Sequence, residues 1–109
     1  VNFVVEKKDG TEIGWTTHYI GAPNFGWIEI GLAIVPDHRR EGYGTETIQL
    51  LTDYLFLTKE IVRVQAVANR SNIASIRALE KAGYKKEGIL RKALWDGKGQ
   101  WVDGYIYSI

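Results

Sequence analysis

The run Arg39-Arg40-Glu41-Gly42-Tyr43-Gly44-Thr45 constrains this chain more than any other stretch, because it joins an apolar, strand-like segment to an amphipathic, helix-like one. Glycines one residue apart let the main chain approach a ligand with no Cβ in the way. The first N–H groups of a helix have no partner inside it, and the helix dipole adds partial positive charge at that end. Such a junction suits a phosphate or diphosphate. A plain glycine-rich turn into a helix would carry the same residues. The spacing R-x-x-G-x-G is neither the dinucleotide fingerprint G-x-G-x-x-G nor the phosphate loop G-x-x-x-x-G-K-[ST], and the chain contains neither of those.

Periodicity on either side of the junction sets the fold class. Residues 2–8 and 11–20 read as two strands joined at Asp9-Gly10, a hairpin dipeptide. A turn around Ala22–Gly26 leads into a third strand over residues 27–35. Its Ile28, Ile30, Leu32 and Ile34 share one face, Trp27, Glu29, Gly31 and Ala33 share the other, and Pro36 ends it. From Gly44 to about Leu57 the period turns helical. Ile48, Leu50, Leu51, Tyr54, Leu55 and Leu57 fall on one half of the wheel, with Phe56 outside it. Residues 61–68 alternate as a fourth strand, so strand, helix and strand predict a parallel crossover unit.

A shorter helix follows over residues 73–82, with Ile73, Ile76, Leu79 and Ala82 on one side. Ser71 or Asn72 can cap its start and Gly83 its end. Residues 84–94 and 100–108 close the chain as a hairpin around Asp96-Gly97-Lys98-Gly99. The predicted order is βββαβαββ, an α/β (α+β) fold with a mixed, mostly antiparallel sheet. We expect a single domain over residues 1–109.

Composition removes several function classes. With 45% hydrophobic and 25% charged residues the chain has an ordinary globular balance. A net charge of +1 is not the basic excess that non-specific nucleic-acid binding requires, so no nucleic-acid partner is expected. No apolar run reaches the length of a membrane span, and we expect a cytoplasmic protein without a membrane partner. Cysteine is absent, which excludes an acyl-cysteine intermediate and a thiolate metal site. His18 and His38 stand far apart without a third ligand nearby, so no metal is expected. The chain starts at Val1 and holds no methionine, and we read it as trimmed at its N-terminus.

Two blocks then carry a family resemblance. One runs from Glu29-Ile30-Gly31-Leu32-Ala33-Ile34 through Thr45. The other runs from Asn69-Arg70-Ser71-Asn72-Ile73-Ala74-Ser75 through Glu80-Lys81-Ala82-Gly83-Tyr84. Together with the element order they resemble the GCN5-related N-acetyltransferases, the GNAT superfamily, and its ribosomal-protein N-terminal acetyltransferase branch in particular. The resemblance covers residue 2 to the C-terminus, but the first strand and the paired helices with which family members begin have no counterpart here.

The resemblance implies acetyl-CoA as cosubstrate and a primary amine as acceptor, whether a small molecule or a protein N-terminus, in a monomer or homodimer. The diphosphate would lie on the main-chain amides of Arg40, Gly42, Gly44 and Thr45, with Arg39 and Tyr43 in the same loop. The pantetheine arm would pair with the main chain of Leu32, Ala33 and Ile34, as an added strand does. In such a fold the third and fourth strands splay apart and admit the arm. Glu29 is implied as the base, with small Gly31 and Ala33 beside it leaving room for a ligand. Its plain alternative is a solvent-facing strand glutamate. Asn72 would line the cofactor side and Ser75 could protonate the sulfur, yet both residue types also serve as helix caps.

One departure stands out. The tyrosine acid that many members carry seven residues after the asparagine is Leu79 here. Ser75 or water could substitute, or the thiolate could leave unassisted. A non-catalytic acyl-CoA-binding module on the same fold is the alternative, and a half-domain completed by a partner chain is another.

Overall fold

The computed structural model describes residues 2–21, 26–34, 38 and 42–109. Eight elements follow in the order β1 (Asn2–Glu6), β2 (Glu12–Ile20), β3 (Trp27–Ile34), α1 (Tyr43–Thr58), β4 (Arg63–Asn69), α2 (Ile73–Lys81), β5 (Lys85–Trp95) and β6 (Trp101–Ser108). That is the predicted βββαβαββ. The predicted turn at Ala22–Phe25, the stop at Pro36 and the positions Arg39, Arg40 and Glu41 lie outside the described residues.

The strands form one six-stranded sheet in the order β1-β2-β3-β4-β6-β5. Among the described residues only the β3–β4 pair is parallel, and it brackets the α1 crossover. The other neighbours run antiparallel. Asp9 and Gly10 make the first turn as expected. Gly10 takes φ +89°, and the Thr11 N–H donates to Asp9 Oδ1 at 2.9 Å. In the last hairpin Asp96 Oδ1 accepts from the N–H groups of both Lys98 and Gln100, which ties down the loop between β5 and β6.

Both helices pack on one face of the sheet. Ile28 and Ile30 of β3, Val64, Ala66 and Ala68 of β4 and Tyr107 of β6 meet Ile48, Leu51 and Leu55 of α1 and Leu79 of α2 in a single core. The α1 stripe is narrower than its sequence predicts. Leu50 and Leu57 are exposed, because a helix lying on a sheet buries only the strip spaced by three and four residues, here Ile48, Leu51, Thr52 and Leu55. Tyr54 turns to the sheet edge instead, with its ring 5.5 Å edge-on from Phe3 of β1. Within the core, Tyr84 and Thr52 share a hydroxyl–hydroxyl hydrogen bond of 2.6 Å, so neither buried oxygen lacks a partner.

The end of α2 is a full Schellman turn. Gly83 adopts φ +98°, the Tyr84 N–H donates to the Leu79 carbonyl and the Gly83 N–H to that of Glu80, each at 3.0 Å. The predicted glycine stop is therefore met, and Tyr84 is delivered into the core. Ile73, predicted on the inner side of α2, is instead half exposed in the helix's first turn.

Candidate active site

The β3–β4 ladder has only three rungs: Trp27 opposite Arg63, Ile28 opposite Val64 and Glu29 opposite Gln65. Both strands continue beyond the third rung, β3 to Ile34 and β4 to Asn69. From there each pairs only with its other neighbour, β3 with β2 through Ile34 and β4 with β6 through Asn69. Two strands that start paired and then pair only outwards have parted. The edge of β3 at Gly31, Leu32 and Ala33 thus has no ladder partner on β4, and Glu29 sits in the crotch of the opening.

The α1 N-terminus stands beside that opening. Gly42 is its cap residue, in a left-handed conformation with φ +82°. As a glycine, Gly42 has no side chain with which to cap the leading N–H groups of the helix. Among the described residues, a Cβ placed on Gly42 would meet nothing within 4 Å. Gly44 lies against the opening's walls: a Cβ there would stand 3.7 Å from Leu32 Cδ2 of β3 and 3.6 Å from Ala78 Cβ of α2. The glycine loop and the unpaired β3 edge are therefore neighbours in space.

The β4 strand leads directly into α2 at the far wall. Asn72 caps α2, its Oδ1 accepting from the Ser75 N–H at 3.2 Å. Ser75 lies one turn before Ala78, on the side of α2 that faces Gly44, and is half-buried. Leu79 is buried in the core, where it offers no polar atom to the opening. Tyr84 and Tyr107 are likewise buried, and Tyr105 is covered by Lys86, whose Nζ stands 3.4 Å from its ring centre.

Glu29 is half-buried and is no free surface carboxylate. Tyr19, directly opposite on β2, donates its hydroxyl to Glu29 Oε2. Gln65, opposite on β4, donates from Nε2 to Glu29 Oε1 at 2.8 Å. The hydrogen bond to Glu29, then burial and the nearby negative charge, push the Tyr19 phenol up to about 12, so it keeps its proton at any working pH. Each carboxylate oxygen accepts one hydrogen bond and retains a lone pair for another donor.

Beyond Gln65 the polar contacts continue. Arg63 Nε donates to Gln65 Oε1 at 3.0 Å, and its two terminal nitrogens grip the Glu87 carboxylate of β5. Ser108 Oγ of β6 donates to the same carboxylate at 2.7 Å. Arg63, and then Ser108, hold the Glu87 carboxyl down at about 2. Tyr19, Gln65, Arg63 and Glu87 carried no local motif that would mark them. Tyr19 is reachable from the antiparallel β2–β3 register. Gln65 depends on a parallel register that nothing short-range encodes.

Gly44 at the start of α1, Leu32 of β3 and Ala78 of α2 thus meet beside the opening that begins after Glu29, with Ser75 one turn back along α2, while the Tyr43 ring turns towards His38 and Asn72 serves as the α2 cap. Among the described residues no three His, Cys, Asp or Glu side chains cluster as metal ligands, and no helix is long and apolar enough to cross a membrane.

Comparison with known proteins agrees with this geometry. The profile of the acetyltransferase (GNAT) domain matches residues 1–85. The chain is 34% identical over 110 residues to the uncharacterized N-acetyltransferase YoaA of Bacillus subtilis, a match that takes in 100% of this chain and 62% of that protein. It is 38% identical over 80 residues to the probable N-acetyltransferase YjcK of the same species, covering 73% of this chain and 44% of that one. A GNAT-family acetyltransferase of Bacillus anthracis superposes with a TM-score of 0.87 at 28% identity, over 99% of this chain and 64% of that structure. RimJ of Mycobacterium smegmatis, solved in complex with CoA-disulfide, shares the fold with a TM-score of 0.92 at 24% identity, over 100% of this chain and 52% of that one. The chain therefore spans less than two thirds of the length of these relatives. It belongs to the GNAT acetyltransferase family.

Proposed function

We propose that this chain is a single acetyltransferase domain that moves an acetyl group from acetyl-CoA to a primary amine, by direct attack in a ternary complex, with Glu29 as the base. The observation that carries this reading is the end of the β3–β4 ladder at the Glu29–Gln65 rung, which puts a carboxylate at the mouth of an opening lined by unpaired main chain. The residues present fit acetyl-CoA. Leu32 and Ala33, with Ile34 next in line, offer a strand edge to the amides of a pantetheine arm. The first turn of α1, from Gly42 through Tyr43 and Gly44 to Thr45, offers N–H donors and partial positive charge to a diphosphate. Arg39 and Arg40 belong to the same proposed loop.

Acetyl-CoA supplies the thioester, and the chain's own residues supply the rest. An acceptor amine arrives protonated, since its ordinary pKa is about 8 for an α-amine and ~10.4 for a lysine side chain. Glu29 takes that proton, directly or through one water, and so exposes the nitrogen lone pair. The nitrogen bonds to the acetyl carbon and the carbon–sulfur bond breaks; the proton shed by the now cationic nitrogen passes to the departing thiolate, relayed by the Ser75 hydroxyl or by water. A main-chain N–H near Leu32 or Ala33 can stabilise the charge that develops on the carbonyl oxygen. Asn72 holds α2 in the register that keeps Ser75 at the opening.

The acceptor is either a protein N-terminal α-amine or a small polyamine. A Vibrio fischeri structure of the same fold is titled ribosomal-protein-S5-alanine acetyltransferase, and one from Vibrio cholerae is a spermidine N-acetyltransferase with CoA and spermine. A second reading, an acyl-CoA-binding module without turnover, is favoured by the buried Leu79 in the place of the usual tyrosine. Release of free thiol from acetyl-CoA, followed against a panel of N-terminal peptides and polyamines, separates the readings. Amine-dependent release supports transfer. Saturable acetyl-CoA binding with no release against any amine overturns it in favour of the module.

A further inference from the structure

We propose that Gln65 is a positioning residue for the reaction, its side-chain amide locked by Arg63 so that it aims and holds the Glu29 carboxylate. The inference rests on the reading of Glu29 as the base. Arg63 has donors only, so the end of the Gln65 amide that meets its Nε at 3.0 Å must be the oxygen. The nitrogen is then the end that meets Glu29 Oε1 at 2.8 Å. A flipped amide would set oxygen against carboxylate and N–H against guanidinium, losing both bonds. Arg63 cannot turn away, because Glu87 of β5 holds its other two nitrogens and Ser108 of β6 braces Glu87. Orientation thus passes from β5 and β6 across β4 to the one carboxylate at the crotch.

The groups that face Glu29 act in one direction. Tyr19 on β2 and Gln65 on β4 both donate, Arg63 stands behind Gln65, and Glu87 is neutralised by Arg63. Both donors bind the carboxylate oxygens directly, one to each oxygen. They also fix its rotamer, and the lone pairs they leave free are those available to an acceptor amine. A glutamine used only to pair strands would be indifferent to the chemistry of residue 29.

A double-mutant cycle on the full chain tests this, with acetyl-CoA and the best amine of the panel as substrates. Gln65→Met removes the donor and keeps the length. It should lower kcat about tenfold with KM for acetyl-CoA within about twofold, and in a Glu29→Gln background it should change kcat by less than about twofold. A Gln65→Met effect of equal size in both backgrounds, or no effect at all, overturns the positioning role and leaves Glu29 as the base. A Glu29→Gln variant with undiminished kcat removes the base and the positioning role together. Independently of turnover, the Gln65 side-chain NH2 resonances should be displaced from random-coil values and move on Glu29→Gln. Random-coil shifts that ignore Glu29→Gln overturn the proposal.

Discussion

Glu29 and Gln65 form the last rung of the parallel β3–β4 ladder, and their side chains are hydrogen-bonded across it at 2.8 Å. Beyond it, each strand pairs only with its other neighbour, β3 with β2 and β4 with β6. The carboxylate is therefore fixed by the same pairing whose end makes the opening.

Removing its charge tests its role. Glu29→Gln keeps the shape and both flanking strands. The expected result is a fall in kcat of about 10²-fold or more, the usual range for a lost general base. Acetyl-CoA affinity, read by calorimetric titration, should stay within about twofold, since none of the proposed cofactor contacts involves residue 29. Unchanged kcat would take Glu29 out of the mechanism.

Gly42 is the sharpest probe of the diphosphate site. Its φ of +82° lies where a β-branched residue is strained, at a cost of about 1–2 kcal/mol, yet a Cβ would collide with nothing nearby. Gly42→Val should fold, with a melting temperature a few degrees lower, and lose acetyl-CoA binding. Retained affinity would move the diphosphate away from this turn.

The Arg63–Glu87 pair predicts an acid window. In the folded chain the Glu87 carboxyl is held at about 2, against an ordinary 4.5. An unfolded chain takes up that proton near 4.5. The pair's contribution is therefore complete above about pH 4.5 and is lost as pH falls towards 2. Urea midpoints across that interval should drop less steeply for Glu87→Gln than for wild type. Because the pair is partly exposed, about 1 M salt should shrink the difference. Equal slopes for both proteins would contradict the pairing.

Tyr84 predicts the opposite, alkaline window. Burial pushes its phenol from 10 up to about 12, against the pull of the Thr52 hydrogen bond. Its stabilising share is complete below pH 10 and disappears as pH rises through about 12, where the folded form also ionises. Tyr84→Phe should lower stability at pH 7, because Thr52 loses its partner, and should flatten the fall between pH 10 and 12. A variant that falls as steeply as wild type would show that Tyr84 ionises freely in the fold.

Much of the frame was legible in the sequence because its signals are local. The Asp9-Gly10 turn, the alternation of β3 and the Gly83 stop are each written within a few residues, and the elements they bound lie within about two residues of their predicted limits. The α1 face was read too wide because periodicity reports which residues share a side, while burial depends on what lies beneath. Leu50 and Leu57 flank the strip and find no sheet under them. Of the site, Glu29, the Gly42–Thr45 turn and the Asn72–Ser75 start of α2 were visible as motif residues on predicted elements. The Tyr19 contact was implicit in the β2–β3 hairpin register. The Gln65–Arg63–Glu87 chain was not, because its register is set across a 16-residue helix and through two further strands.

The central claim is that the parted edge of β3 receives the cofactor, and amide hydrogen exchange at that edge tests it directly. Alternate residues of a strand point their main-chain groups to opposite neighbours, so one of the two adjacent amides Leu32 and Ala33 faces the opening. NMR exchange rates with and without saturating acetyl-CoA should show that amide slowed at least about tenfold, together with amides of the first turn of α1. Slowing confined to other parts of the chain, with both β3 amides unchanged, would contradict the account.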